Sequence, residues 1–312
     1  MHLDVPPVPV VPVSQRGEGS LLLRYEDVTQ DGRLRLEPLS HGLGAAVWRG
    51  CLEAHPMFPA LVARGVLPIL SRLQLHSQEG PFAVRPALRC DGAYELLRTR
   101  SSTGEPRLRL DMGAVVRGIR GRTFGPPSPG DGAEHVVGEV FAEHVLTRPF
   151  AAKGERRVTT LPPELVDVST LREVAPRPAD AWERLPEGVE AAEDALRLDP
   201  MPFAFGLGHT DSNQHVNSLV YVRLLEEAAV RRFAVLGWPT AVFAQAADVT
   251  YLRPFFAGDR ARVWLRAYRS GDALGVVAAV TAEDAEGGEA GGPAQHGGPG
   301  RAHCVARLRF VP

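Results

Sequence analysis

The order of elements along this chain repeats. Residues 21–117 read as a strand, a helical stretch and a run of antiparallel strands, and residues 201–311 read the same way. A pattern written twice predicts two similar units rather than one large one, and 312 residues are enough for both. Sliding the halves by 174 residues sets His41 against His215, Arg49 against Arg223 and Glu53-Ala54 against Glu227-Ala228. Those coincidences are few, and the repeated order carries the argument.

In the first half, 21–25 begins a strand, Gln30-Asp31-Gly32-Arg33 is a turn and 34–36 a returning strand. Ala45, Ala46, Val47, Trp48, Leu52, Leu61 and Val62 space as a helix from Gly44 to about Gly65, weakened by Gly50 and Pro56. Strands follow at 69–75, 82–90, 94–98, 107–110 and 114–117, with Asp91-Gly92 as a hairpin signal. In the second half, Val216, Leu219, Val220, Leu224, Ala228 and Val230 form the apolar face of a strong helix over 216–236. Strands are predicted at 246–253, 260–268, 273–281 and 303–311, and the Gly-rich stretch 284–302 is a flexible hairpin loop. The division expected is a Pro/Val arm (1–19), a first domain (20–155), a connecting segment with a short helix (156–196) and a second domain (197–312).

Composition narrows the function classes. Basic and acidic residues number 35 and 37, so the near-neutral chain does not read as a nucleic-acid binder. Among the basic residues only Lys153 is a lysine, which makes an arginine patch less informative than usual. Cys51, Cys90 and Cys304 are widely spaced with no CxxC pair, which predicts neither a zinc site nor a disulfide framework and suits a reducing cytoplasm. No segment reads as a signal peptide or a membrane helix. No metal, no membrane and no nucleic-acid partner is therefore expected.

The informative stretch is Gly208-His209-Thr210-Asp211-Ser212-Asn213-Gln214-His215-Val216-Asn217. A carboxylate, an amide and an imidazole stand at every second position just before the long helix. In an extended segment such residues project from one side. The helix that follows offers unpaired N–H groups and the positive end of its dipole, here expected at Val216 and Asn217. Those donors suit a developing oxyanion on a thioester carbonyl. Asp211 is the candidate general base for water, or a nucleophile giving an anhydride; Asn213 orients water or carbonyl; His215 assists proton transfer or holds Asp211. Helix capping competes as an explanation for Asp and Asn, but it accounts for one of the two and not for His215.

Asp211-x-Asn213-x-His215-Val216-Asn217, followed by Tyr221, resembles the active-site motif of the hotdog-fold acyl-ACP thioesterases. Residues 156–166 are similar to that family's interdomain linker, 66–75 to the first strand after its first helix, and Tyr251-Leu252-Arg253-Pro254 with Gly258-Asp259 to a strand and turn of many acyl-CoA thioesterases, including the 4-hydroxybenzoyl-CoA type. The resemblance implies an α+β tandem double hotdog, each half a long helix wrapped by an antiparallel sheet. The first half would be degenerate and serve the acyl pocket, and the second would be catalytic. It implies a cytoplasmic thioesterase of fatty-acid or lipid metabolism. Its partner would be acyl carrier protein or acyl-CoA, and it would need no cofactor beyond the phosphopantetheine carried by the substrate. A monomer, as an internal pseudo-dimer, or a homodimer would fit.

The plant members carry an acidic residue and a cysteine after the equivalent of Tyr251-Leu252-Arg253, where this chain has Pro254-Phe255-Phe256. A Cys–His mechanism is not supported, and Cys304 lies on a much later strand. Glu226 and Glu227 are candidate helpers that read better as a solvated helix face. His209 reads as a loop histidine. Glu37, Leu39 and His41 stand opposite the motif in the first half without completing it. Two alternatives remain at this stage. One is a hotdog enoyl-thioester hydratase, whose D-x-N-x-x-H pattern is one residue longer. The other is a non-catalytic acyl-thioester-binding protein.

Overall fold

The computed structural model describes residues 3–101, 104–124, 126, 129–175, 183–283 and 302–312. The chain divides into two compact units, Asp4–Pro178 and Ala179–Pro312, the latter grouped with Met1–Leu3.

In the first unit, strand β1 (Arg16–Leu21) precedes helix α1 (Leu36–Leu43), which runs on as a π-helical stretch (Gly44–Leu52), then a short helix α2 (Met57–Val62). Strands β2 (Leu67–Ser77), β3 (Leu88–Arg100), β4 (Pro106–Ile119) and β5 (Glu134–Thr147) follow. The strands lie in the order β1-β3-β4-β5-β2, every pairing antiparallel. Alternation in β4 buries Leu108, Leu110, Met112, Ala114 and Val116 on the core face, where α1 supplies Leu39 and Leu43 and the π-helical stretch Ala46, Val47 and Leu52.

The helix begins at Leu36, not at Gly44, and the expected returning strand reduces to a single bridge between Val28 and Leu34. Pro38 lies in the first helical turn, where a missing N–H costs nothing, and Leu36, Leu39 and Leu43 share the core face. β1 starts at Arg16, inside the expected arm, because it crosses the helix at close range: a Cβ on Gly19 would lie 2.6 Å from the carbonyl carbon of Ala45. Asp91-Gly92 is not a hairpin turn but the interior of β3. A Cβ at Gly92 would lie 2.7 Å from Val47 Cγ2 and 2.9 Å from Gly113 O, so this glycine serves helix–sheet packing. Residues 82–84 contribute one bridge, Phe82 to Arg120. Within 156–196 the described residues contain no α-helix; the expected short helix reduces to a 3-10 turn, Val168–Thr170, capped by Asp167.

The other face of this sheet is charged. Glu95, Asp111 and Glu143 stand side by side across β3, β4 and β5. Arg172 meets Glu95 at 2.7 and 3.1 Å, Arg109 meets Asp111 at 2.6 Å and Glu143 at 3.4 Å, and Arg72 meets Glu143 at 3.2 Å. These residues line a cavity of about 610 Å3 roofed by Pro6–Val10 of the arm. Gln74 and Arg16 hold the arm at the carbonyls of Asp4 and Val11.

In the second unit, β6 (Glu190–Ala191), β7 (Arg197–Leu198) and β8 (Phe203–Ala204) pair in turn along the edge of β10 (Arg260–Ser270). Helix α3 (Ser218–Val235) is followed by β9 (Phe243–Tyr251), and β11 (Ala273–Ala282) and β12 (Ala302–Val311) complete the sheet. The order β10-β11-β12-β9 repeats that of β3-β4-β5-β2, with the three short strands in the place of β1. Ala261, Val263, Leu265 and Ala267 of β10 are buried and alternate with Arg262, Trp264 and Arg266. The segment before α3 is stapled to it: Asp199 takes Arg231 in three contacts of 2.6–3.2 Å, and Glu193 takes Arg232. The expected Gly-rich loop, except Ala302, lies outside the described residues.

Among the described residues no helix is long and apolar enough to cross a membrane, and no group of three His, Cys, Asp or Glu could hold a metal ion. The three cysteines are free and buried.

Candidate active site

The motif is a closed turn. Thr210 and Val216 form a bridge, the Asp211 N–H donates to His215 O (3.0 Å), and the Gln214 N–H donates to Asp211 O (2.9 Å). Asp211 Oδ1 accepts the Asn213 N–H at 2.8 Å, an Asx turn. Gln214 takes a left-handed φ of 65° to bring the chain back. The expectation of an extended segment with three side chains on one side is therefore corrected. Asp211, Asn213 and His215 share a five-residue loop in which Asp211 and His215 are half-buried and Asn213 is exposed.

The amides expected to bind the substrate are also corrected. The Val216 N–H donates to Phe255 O (2.8 Å) and the Asn217 N–H to His209 O (2.9 Å), so neither is free. Asn217 is the N-cap of α3, its Oδ1 accepting the Leu219 N–H at 2.9 Å, and the helix starts at Ser218. The Ser218 N–H has no protein acceptor among the described residues. It is the open donor at the positive end of the helix. Reading the N-cap at Asn217 from the Asn-Ser pair would have found it.

An aromatic cluster sets the walls. Phe255 packs on Phe205 (4.9 Å between centroids) and Tyr221 (6.2 Å), and Phe205 touches His209 (6.2 Å). His209 Nδ1 accepts the Gly206 N–H at 2.9 Å, so this histidine closes the 3-10 turn that precedes the motif. Tyr251 OH donates to Ser218 O at 3.0 Å, and burial holds its phenol well above the ordinary range. Tyr221 OH accepts the Phe255 N–H at 3.2 Å, its phenol also raised by burial. Both tyrosines belong to the segments that carried the resemblance in the sequence, but nothing local showed that their hydroxyls meet the start of α3 and the segment after β9.

Cys304 is nearer than sequence distance suggests, since it pairs with Tyr251 in the β12–β9 register. It is fully buried and burial pushes its thiol up, so it stays protonated and supplies no nucleophile. Glu227 is exposed and reaches Arg231 at 3.7 Å, consistent with a solvated helix face. In the first unit Glu37, Leu39 and His41 lie on α1 rather than in a turn, with Leu39 fully buried. Among its described residues that unit shows no counterpart of the motif's turn.

No family model matches the sequence, and no curated protein matches it. Solved structures do. A Lactobacillus plantarum protein assigned as an oleoyl thioesterase matches with a TM-score of 0.57 at 15% identity, covering 95% of this chain and 97% of its own. An acyl-ACP thioesterase from Bacteroides thetaiotaomicron gives 0.54 at 14% identity over 95% and 97%. A 12:0-ACP thioesterase from Umbellularia californica gives 0.53 at 13% identity over 95% and 94%. The chain has the fold of these hotdog-type thioesterases along nearly its whole length.

Proposed function

We propose that this protein hydrolyses an acyl thioester, carried on acyl carrier protein or coenzyme A, to the free acid and thiol. Its two units are read as tandem hotdog domains, the first non-catalytic and the second carrying the site. The observation that carries this reading is the placement of Asp211, Asn213 and His215 in one turn that leads directly into α3 and its open Ser218 N–H. Asp211 Oδ1 is engaged by Asn213, which leaves Oδ2 to take a proton from water. Ser218 polarises the thioester carbonyl and stabilises the oxyanion, in place of Val216 and Asn217. Water oxygen bonds to the carbonyl carbon, the carbon–sulfur bond breaks, and the departing thiolate takes the proton, with His215 assisting. The phosphopantetheine arm belongs to the substrate, and the chemistry needs no other cofactor. A cytoplasmic setting suits such substrates.

The test is thiol release from a panel of acyl-CoA and acyl-ACP substrates by wild type and Asp211→Asn. Release that falls at least about 100-fold in the variant is expected. Wild-type turnover by Asp211→Asn would remove Asp211 from the chemistry. No release from any substrate, with hydration of enoyl thioesters instead, would replace the hydrolase by the lyase.

A further inference from the structure

The turn does not hold itself in place. Its outer strand is braced by the segment after β9, where the Val216 N–H meets Phe255 O at 2.8 Å and His215 bridges Phe256, their rings 5.2 Å apart. That segment has no regular secondary structure, and Leu252, Pro254 and Phe256 are exposed. Tyr221 OH and Asp259 Oδ2 accept its Phe255 and Phe256 N–H groups at 3.2 and 2.8 Å, and His303, the second residue of β12, anchors it from the other strand. The imidazole lies flat on the Phe255 ring, centroids 3.9 Å apart and planes 10° from parallel. Its Nδ1 is 3.1 Å from Pro254 O, and its own carbonyl accepts the Leu252 and Arg253 N–H groups at 2.9 and 3.1 Å.

We propose that His303 is a positioning residue for the candidate site, holding Pro254–Phe256 and, through Phe255 and Phe256, the register of Val216 and His215. A carbonyl can only accept, so Nδ1 carries the proton and a neutral ring keeps its lone pair on Nε2. Burial favours that neutral ring, and Arg253 adds to the effect, while the bond to Pro254 O and the charge of Asp259 oppose it. A neutral imidazole stacks on Phe255 without a charge to desolvate. Held by the stack on Phe255 and the bond to Pro254 O, His303 acts as a fixed brace. Its effect on turnover rests on the hydrolase reading above; its effect on the turn does not.

Three variants separate its contacts. His303→Ala removes ring and donor, His303→Phe keeps the ring, and His303→Asn keeps a side-chain N–H. Amide hydrogen exchange of Val216 reads the brace directly and needs no activity. We expect exchange to speed up about tenfold or more in His303→Ala and by less in His303→Phe or His303→Asn. On a substrate that wild type hydrolyses, kcat of His303→Ala should fall about 10- to 100-fold with little change in KM, the cost of a displaced reacting group. The shape of the pH profile should not change. Unchanged Val216 exchange in a folded His303→Ala overturns the proposal whether or not wild type is a thioesterase. A lost limb in the pH profile would also overturn it, by making His303 a proton carrier. Absence of any wild-type turnover would count against the hydrolase and leave the exchange result to decide the brace.

Discussion

Asp111 should make the protein less stable as the pH rises through the mildly acidic range. Asp111 is 5% exposed, and its Oδ1 has no protein partner among the described residues. Burial pushes its pKa from the ordinary 3.8 to about 6; Arg109 opposes the shift, and Glu143 and Glu95 alongside add to it. The other charges at this cavity are Arg72 and Arg172, and the arm contributes only apolar side chains at Pro6–Val10. Because the folded pKa is the higher one, the folded state binds the proton more tightly. The stabilisation is complete below 3.8, declines as the pH rises, and is lost once the pH passes about 6. At about 1.4 kcal/mol per tenfold change in proton affinity, that interval is worth roughly 3 kcal/mol. Asp111→Asn mimics the neutral acid, and Arg109 keeps Glu143 at 3.4 Å, so no guanidinium is stranded. The variant should exceed wild type by up to roughly 3 kcal/mol at pH 7, with the gap closing toward pH 4. Urea denaturation of both proteins across that range measures it. A gap that does not change with pH, or a less stable variant at pH 7, would refute the reasoning.

Two other substitutions test packing in the two units. Gly92→Ala should destabilise by about 1–3 kcal/mol or more, because the new methyl meets Gly113 O and Val47 inside β3. A neutral result in chemical denaturation would mean that β3 turns at Asp91-Gly92 after all. Asp199→Ala should cost about 2–3 kcal/mol by the same measurement, less than the 3–5 typical of breaking a buried pair. Asp199 is buried, but Arg231 is a third exposed and can rehydrate, so a loss under about 0.5 kcal/mol would show that the staple is not structural.

The second unit was legible because its strands obey simple periodicity. β10 alternates buried apolar residues with arginine and tryptophan from Arg260 to Ala267, and α3 lies within two residues of its predicted ends. The first unit was harder because its glycines answer to packing. Gly19 and Gly92 are where backbone meets helix, and a local reading can only interpret such glycines as turns or breaks. The start of α1 was hidden because 34–36 reads locally as a returning strand, while Leu36, Leu39 and Leu43 share the helix's core face. In the site, residue identity was legible and shape was not. Nothing local says that Gln214 will adopt a left-handed φ, nor that Phe255, dozens of residues later, will take the Val216 amide.

The turn geometry also changes how capping and catalysis should be weighed at Asp211. They competed in the sequence because either one alone explained the residue. In the structure the helix is capped by Asn217, so α3 does not require Asp211. The Asx turn does require a side-chain acceptor at 211, but it engages one oxygen and asks for no charge. Asparagine would serve that turn as well as aspartate. What the turn leaves over is the second oxygen and the negative charge, in the same turn as His215 and shortly before the open N–H of Ser218. Asp211→Asn thus removes only what the fold does not use, while Asp211→Ala also removes an acceptor worth about 1 kcal/mol. If turnover falls equally in both while only Ala lowers stability, the charge is the functional part of Asp211. If turnover instead tracks stability, Asp211 is part of the turn alone and the base must be sought elsewhere.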